Sequence, residues 1–173
     1  MTRSIRNGAM RSVQLAGAFA ILAIPALATP ALADPSGVAA RNEAAVREAF
    51  DRWAAGGSVF DPLLAPDVRW TIYGSGPVAG TYESRDSFVQ DASLPLVSRL
   101  SAPVVPEVHA IWAVDDTVIV RFDGAATTTS GDAYENQFLW IFRMADGEVV
   151  EAEAFLDLAA YQQVVENNEP VTE

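Results

Sequence analysis

From Val104 to Asp157 the sequence alternates with a period of two, and this pattern constrains the fold more than any other feature. Such alternation is typical of β-strands, in which successive side chains point to opposite faces. We expect four strands, at about 104–113, 116–128, 133–144 and 148–157. The segments "VDD", "SGD" and "ADG" between them are typical of tight turns. Strands joined by such turns pair antiparallel, so this half of the chain predicts an antiparallel sheet.

The first half of the chain predicts helices that cover one face of that sheet. In "VAARNEAAVREAFDRWAAGG", the apolar residues Val46, Phe50 and Trp53 fall on one helical stripe. A second helix is expected to begin after Ser84 as its N-cap, and Pro95 should bend or end it. A last short helix, "LAAYQQVV", follows the strands. Helices on one side of a curved antiparallel sheet make an α+β domain.

Residues 1–33 predict a cleaved secretory signal peptide. They begin with a basic segment, continue with an almost wholly apolar run from Leu15 to Ala28, and end with the small residues Ala31-Leu32-Ala33. The apolar run of about 14 residues is shorter than the roughly 20 that a membrane-spanning helix needs. We therefore expect a periplasmic or secreted protein. Its folded domain should span residues 34–165, and the polar tail 166–173 should be disordered.

The charge of the chain excludes two classes of partner. Its formal net charge is −12, and without the three arginines of residues 1–33 eight arginines face 23 acidic residues, a net charge of −15. Such a surface repels nucleic acid and anionic lipid. The chain has no cysteine and one histidine, so the sequence predicts no disulfide, no thiol nucleophile and no metal site.

Both faces of the predicted sheet carry large apolar residues, which indicates that both are covered. The helices can cover only one face. We expect a second copy of the chain to cover the other, in a homodimer through Val118, Val120, Leu139 and Ile141, because a bare monomer rarely exposes such a patch.

Two motifs of the chain resemble a known superfamily. They are the "W-x9-G" hairpin from Trp70 to Gly80 and the "DG-x9-D" ending from Gly147 to Asp157, set in the layout "NEAAVREAFDRW…FDPLLAPDVRW" and "ENQFLWIFRMADGEVVEAEAFLD". This arrangement resembles the SnoaL-like and ketosteroid-isomerase-like proteins of the nuclear transport factor 2-like superfamily. The resemblance implies a cone, in which a curved, mostly antiparallel sheet wraps around N-terminal helices and encloses one apolar pocket.

The resemblance also implies a set of site residues. It places Arg121, Asp123 and Asp157 together in the cone, where they resemble the Asp-Arg-Asp trio of the limonene epoxide hydrolase family. In that family the arginine bridges two carboxylates that act as acid and base, so these three residues are implied to be catalytic. The implied ligand-binding residues are Asn136, Phe138, Trp140, Phe155, Trp70 and Tyr134. No cofactor is implied.

The sequence also departs from the families that it resembles, and three functions stay open. Thr71 stands where ketosteroid isomerase carries its base, and Trp70 and Ile72 stand where the epoxide hydrolases hold a water. The chain can be a cofactor-independent isomerase, lyase or hydrolase for a small apolar or polycyclic molecule. It can bind such a molecule without changing it, or it can be a dimerisation module. Arg121 with its two acids can equally be a structural ion-pair network.

The signal peptide gives a first prediction. Because a signal peptidase needs small side chains before the cut, the exported protein should begin at Asp34, directly after Ala33. Intact-mass spectrometry of the exported protein measures this N-terminus. Soluble protein that retains Met1 contradicts the prediction.

Overall fold

A computed structural model describes residues 35–171, and the predicted signal peptide lies outside the described residues. The structure confirms the α+β cone with a curved six-stranded sheet. Within the described range, no helix is both long and apolar enough to span a bilayer. The described elements follow in the order α1 (Pro35–Ala54), β1 (Leu64–Ile72), β2 (Gly80–Tyr82), α2 (Arg85–Phe88), a π-helical turn (Val89–Ser93), α3 (Leu94–Val97), β3 (Val105–Val114), β4 (Thr117–Thr127), β5 (Ala133–Ala145), β6 (Glu148–Leu156) and α4 (Leu158–Asn167).

Helix α1 packs its apolar stripe against the sheet. Val46, Ala49 and Phe50 on that stripe are at most 1% exposed. The helix ends at Ala54, and Gly56 follows with a φ of 91°, a left-handed conformation that glycine adopts without strain. The chain then continues through residues 55–63 to β1.

The six strands form one sheet in the order β2-β1-β6-β5-β4-β3. Strands β3 to β6 are consecutive antiparallel neighbours, as the alternation predicts. Strand β1 pairs parallel with β6, so the first and the last strand of the chain are neighbours in the sheet. The register of β4 on β5 pairs Val120 with Trp140 and Phe122 with Phe138. This register decides which side chains share a face.

The predicted dimer face is wrong in its composition. Val118 and Val120 are fully buried on the inner face, the face that α1 covers. Leu139 and Ile141 lie on the outer face, where Ile141 pairs with Ile119. The reason is the alternation itself, because even-numbered residues of β4 pair with even-numbered residues of β5 and both point inward.

Residues 85–97 form an interrupted helix that closes the cone. Ser84 is its N-cap, as predicted: its Oγ accepts from the Ser87 amide at 3.1 Å, and Ser87 Oγ accepts from the Ser84 amide at 3.2 Å. The π-helical turn ends at Ser93, two residues before Pro95, which lacks the N–H that a regular helix would use. Phe88, Ala92 and the α3 residue Leu96 are buried on the side of the core.

Residues 166–171 of the segment predicted to be a disordered tail make hydrogen bonds in the structure. Helix α4 continues to Asn167, and the residues after it are held to the 98–99 segment. The carbonyl of Asn168 accepts from Arg99 Nε at 2.9 Å, and the amide of Val171 donates to the carbonyl of Ser98 at 2.7 Å. These bonds use backbone atoms, so the polar composition of the tail did not reveal them.

Asp157 caps helix α4, and this gives a second prediction. Its Oδ1 accepts from the amides of Ala159 at 2.9 Å and Ala160 at 3.1 Å. Asp157→Ala should lower the free energy of unfolding by about 1 kcal/mol, whereas Asp157→Asn should change it little, since asparagine caps almost equally well. Urea denaturation of both variants measures the difference. Equal losses in the two variants would contradict a capping role.

Candidate functional site

An interior cavity of about 420 Å³ lies between the inner face of the sheet and the segment 85–97. The described residues that line it come from the end of α1, the strands β1, β5 and β6, the interrupted helix, α4 and the loops 57–60 and 100–104. They are Trp53, Gly57, Ser58, Val59, Phe60, Trp70, Ile72, Phe88, Ala92, Ser93, Leu96, Val97, Leu100, Ser101, Ala102, Pro103, Val104, Phe138, Trp140, Ala154, Leu156 and Tyr161.

The cavity exists because small and large residues alternate across the sheet. Trp70 of β1 pairs with Ala152 of β6, and Trp140 of β5 pairs with Ala154 of β6. The two indole rings therefore meet over the small side chains of β6, with centroids 5.1 Å apart, and Ala154 lines the cavity beside them. Trp70 stacks on Phe88 with ring centroids 4.1 Å apart. The floor of the cavity is accordingly aromatic and rigidly packed.

None of the described residues that line the cavity carries a charge. Ser58 and Ser101 line it at an exposed rim with Ala102 and Pro103, which marks the opening to solvent. Tyr161 is the buried hydroxyl of the wall, and its Oη donates to the carbonyl of Ala92 at 2.8 Å. Burial raises the pKa of Tyr161 to about 12, so its hydroxyl stays neutral.

The indole nitrogen of Trp70 has no hydrogen-bond partner. It is the one buried side-chain nitrogen or oxygen without a partner among the residues that the structure describes. The accessible surface of this nitrogen is nearly zero, so a ligand in the cavity cannot reach it in this conformation. The rings of Phe60 and Trp140 stand edge to face with the indole, 5.8 Å and 5.1 Å from its centroid.

The structure brings three of the six predicted ligand-binding residues to the cavity wall: Trp70, Phe138 and Trp140. Tyr134 and Asn136 are buried outside it. Both are joined by a hydrogen bond of 2.9 Å from Asn136 Nδ2 to Tyr134 Oη.

Asn136 has a structural role. Its Nδ2 donates to the carbonyl of Asp157 at 2.9 Å, and its Oδ1 accepts from the amide of Asp157 at 2.9 Å. This two-bond contact fixes the backbone where β6 ends and α4 begins. Phe155, the last of the six, lies on the outer face, stacked on Tyr73 with centroids 5.0 Å apart.

The three residues implied to be catalytic lie outside the cavity. Arg121 and Asp123 are odd-numbered residues of β4, so they point to the outer face, opposite to Phe122. With Asp157 they line an outer groove of about 940 Å³. The resemblance implied that Arg121 and Asp123 lie on the same side of the sheet as Phe138. The register of β4 on β5 instead places these two residues on the opposite side from Phe138.

Within the outer groove, Asp123 is held by two donors. Its Oδ1 lies 2.5 Å from an Arg121 guanidinium nitrogen, and its Oδ2 lies 2.8 Å from His109 Nε2. Hydrogen bonds from His109 and then from Arg121 lower the pKa of Asp123. Asp157 faces α4 and caps it. The arginine therefore bridges no second carboxylate, and both oxygens of Asp123 are engaged.

The described residues contain no group of three or more His, Cys, Asp or Glu placed to hold a metal ion. The His109–Asp123 pair at the outer groove would offer a metal ion only two ligands.

Comparison with known sequences identifies the family. The sequence model of the SnoaL-like domain matches residues 46–152, which include α1 from Val46, all of β1 to β5 and the first part of β6. The chain belongs to the SnoaL-like domain family. No curated protein matches this SnoaL-like chain in sequence.

Solved structures share the fold of this SnoaL-like chain. An NTF2-like protein from Burkholderia thailandensis is 26% identical, with a TM-score of 0.54, over 77% of this chain and 98% of its own. A SnoaL-like protein from Jannaschia sp. CCS1 is 19% identical, with a TM-score of 0.61, over 79% and 99%. TerC, co-crystallised with polyporic acid, is 18% identical, with a TM-score of 0.59, over 73% and 98%.

Much of the cavity wall comes from residues that the sequence did not reveal as site residues. Tyr161 lies on α4, and Phe88, Ala92 and Leu96 lie on the interrupted helix. Their signal was present in the apolar spacing of both segments, which predicts buried helix faces. That spacing does not distinguish a cavity wall from a packed core.

The outer groove gives a third prediction. Because the folded pKa of Asp123 is depressed, its contribution to stability is complete above the unfolded value of about 3.9 and is lost as the pH falls through the folded pKa. In Arg121→Gln, the midpoint of the Asp123 carboxyl titration should rise toward the ordinary pKa of an aspartate. A ¹³C NMR titration of the Asp123 carboxyl measures it, and an unchanged midpoint would show that the arginine is not a cause.

Proposed function

We propose that this SnoaL-like protein binds a neutral, apolar small molecule in its interior cavity without changing it chemically, and that it does so as an exported homodimer. The observation that carries the proposal is the lining of the cavity. The cavity has a volume of about 420 Å³, and its wall consists mainly of aromatic and aliphatic side chains and contains no charged group. Apolar pockets with few polar groups are typical of small-molecule sites.

The uncharged wall favours a neutral ligand over an ionised one. An ion inside the cavity would lose its water and find no counter-charge, at a cost of several kcal/mol. A flat apolar molecule instead gains contact with Trp140, Phe138 and Phe88. TerC, which shares this fold, was crystallised with polyporic acid, and that fact supports a small-molecule site on the scaffold.

Binding without turnover is favoured because general acid–base catalysis needs a titrating group within hydrogen-bond reach of the substrate. Arg121, Asp123 and Asp157 lie on the other side of the sheet or at a helix cap. Tyr161 lines the cavity, but its raised pKa makes it a weak acid and its proton is donated to Ala92. An enzyme of the isomerase, lyase or hydrolase class would need an acid or base that this wall does not offer.

A second copy of the chain is the partner that fits the outer face. Ile119, Leu139 and Ile141 form an apolar centre there, extended by the exposed rings of Trp112 and Phe155. Exposed apolar patches of this kind on soluble proteins are usually interfaces. The corrected centre replaces Val118 and Val120 of the sequence-based prediction.

The charges on the outer face fit a two-fold interface. One end of the strands carries the acids Glu107, Asp123, Glu135 and Asp157 with Arg121 among them, and the other end carries Arg69 and Arg143, which pair with Glu83 and Glu151. In the same chain, Arg69 Nε lies 3.6 Å from Glu83 Oε1, and Arg143 Nε lies 3.4 Å from Glu151 Oε2. A two-fold axis in the plane of the face, running across the strands, brings the acidic end of one subunit onto the arginines of its partner.

Anthracene binding tests the small-molecule proposal. Energy transfer from the cavity tryptophans to anthracene should report binding to the parent protein. Ser93→Phe places a ring in the cavity and should weaken binding by about tenfold or more, since tenfold corresponds to 1.4 kcal/mol. Ala125→Phe adds the same ring to the outer groove and should leave binding within about twofold. Absence of binding to the parent, or equal losses in both variants, would refute the proposal.

Light scattering at micromolar concentration tests the dimer. The parent should have the mass of two chains, and Ile141→Glu should have the mass of one, because a charge is costly at a desolvated centre. Leu94→Glu introduces the same charge at a residue of α3 that is 42% exposed, and it should remain dimeric. A monomeric parent, or a dimeric Ile141→Glu variant, would exclude this face as the interface.

A further inference from the structure

We propose that Tyr161 selects the ligand of the interior cavity, and that this ligand presents a hydrogen-bond donor, such as a hydroxyl group, to the tyrosine oxygen. The inference rests on the proposed function, since it requires that a small molecule occupies the cavity. It adds the chemical class of the ligand: an apolar body that carries one hydroxyl or N–H group.

Tyr161 stands out when the other polar groups of the wall are compared. Ser58 Oγ accepts from the amide of Asp61 at 3.3 Å, and both residues are exposed. Ser101 Oγ donates to the carbonyl of Thr127 at 3.1 Å and is exposed as well. These rim groups have water as an alternative partner, so they discriminate little between ligands.

Two further groups do not select a donor. The indole N–H of Trp70 is sealed by the surrounding rings and has almost no accessible surface. Ser93 is half-buried, and a serine hydroxyl can rotate to donate or to accept. A ligand with either kind of polar group therefore satisfies Ser93.

Tyr161 has a fixed polarity. Tyr161 lines the cavity, the residue is 5% exposed, and its single hydroxyl proton is donated to the carbonyl of Ala92, 2.8 Å away. The oxygen keeps its lone pairs, so it can accept but has no second proton to give. Burial raises the pKa of Tyr161 to about 12, which keeps that proton in place at neutral pH.

The backbone around Tyr161 holds this polarity in place. Its amide donates to the carbonyl of Asp157 at 3.2 Å in the first turn of α4, which Asp157 caps and Asn136 fastens to β5. Its partner Ala92 lies in the π-helical turn, a distortion that is often found at functional sites. A polar group fixed in this way loses little entropy when a ligand binds.

Three anthracene derivatives test the inference: 9-methylanthracene, 9-anthracenemethanol and 9-(methoxymethyl)anthracene. They share a chromophore, and only the alcohol has a donor. The parent protein should bind the alcohol about five- to tenfold more tightly than the ether, the range that corresponds to one hydrogen bond. In Tyr161→Phe this preference should fall to near unity, while the affinity for 9-methylanthracene stays within about twofold.

Tyr134→Phe is the matched control, because Tyr134 is also a buried tyrosine but lies outside the cavity wall. It should keep the preference for the alcohol.

If Tyr161→Phe does not fold, the ¹³Cζ resonance of Tyr161 in the parent protein provides the test: this resonance should shift when the alcohol binds and not when the ether binds. A preference that survives in Tyr161→Phe, or a parent without preference, overturns the inference and leaves the proposed function intact. If none of the three compounds binds, both fail together.

Discussion

Phe50 of α1 lies edge-on against Phe122 and Trp140 on the inner face of the sheet, with ring centroids 5.0 Å and 5.7 Å apart. Contacts of this kind add about 0.5–1.5 kcal/mol per pair to the burial of the rings. They fix the inward direction of the even-numbered residues of β4 and β5. Because the strand period is two, Arg121 and Leu139 must then point outward. The separation between an uncharged interior and a charged outer face follows from this one packing contact.

The interior is incompletely filled, and this has an energetic consequence. Ala154 lines the cavity beside Trp70 and Trp140, and Phe88, Ala92 and Leu96 of the interrupted helix line it as well. An apolar cavity of this kind is poorly hydrated, so its walls lack contacts on one side. A ligand supplies the missing contacts and stabilises the folded state by mass action. Occupancy and thermal stability are therefore linked in this molecule.

The sequence predicted the elements well and the site poorly, and particular residues show why. Alternation alone located β3 to β6 to within about two residues, since each strand has its own local pattern. Parity along β4 separated Val120 from Arg121 without any structure. What parity cannot give is the relative register of two strands, which sets whether Arg121 shares a face with Trp140 or with Leu139. The resemblance to known families, and not a strand pattern, placed Asp157 in the cone, although its side chain caps α4.

Gly124 shows how thin the wall is between the cavity and the outer groove. A Cβ atom there would lie 2.9 Å from both Phe138 and Val104, closer than side chains tolerate. Phe138 lines the cavity and the groove alike, so its ring is the partition between them. The absence of a side chain at Gly124 leaves room for the Phe138 ring, which lies between the cavity and the outer groove.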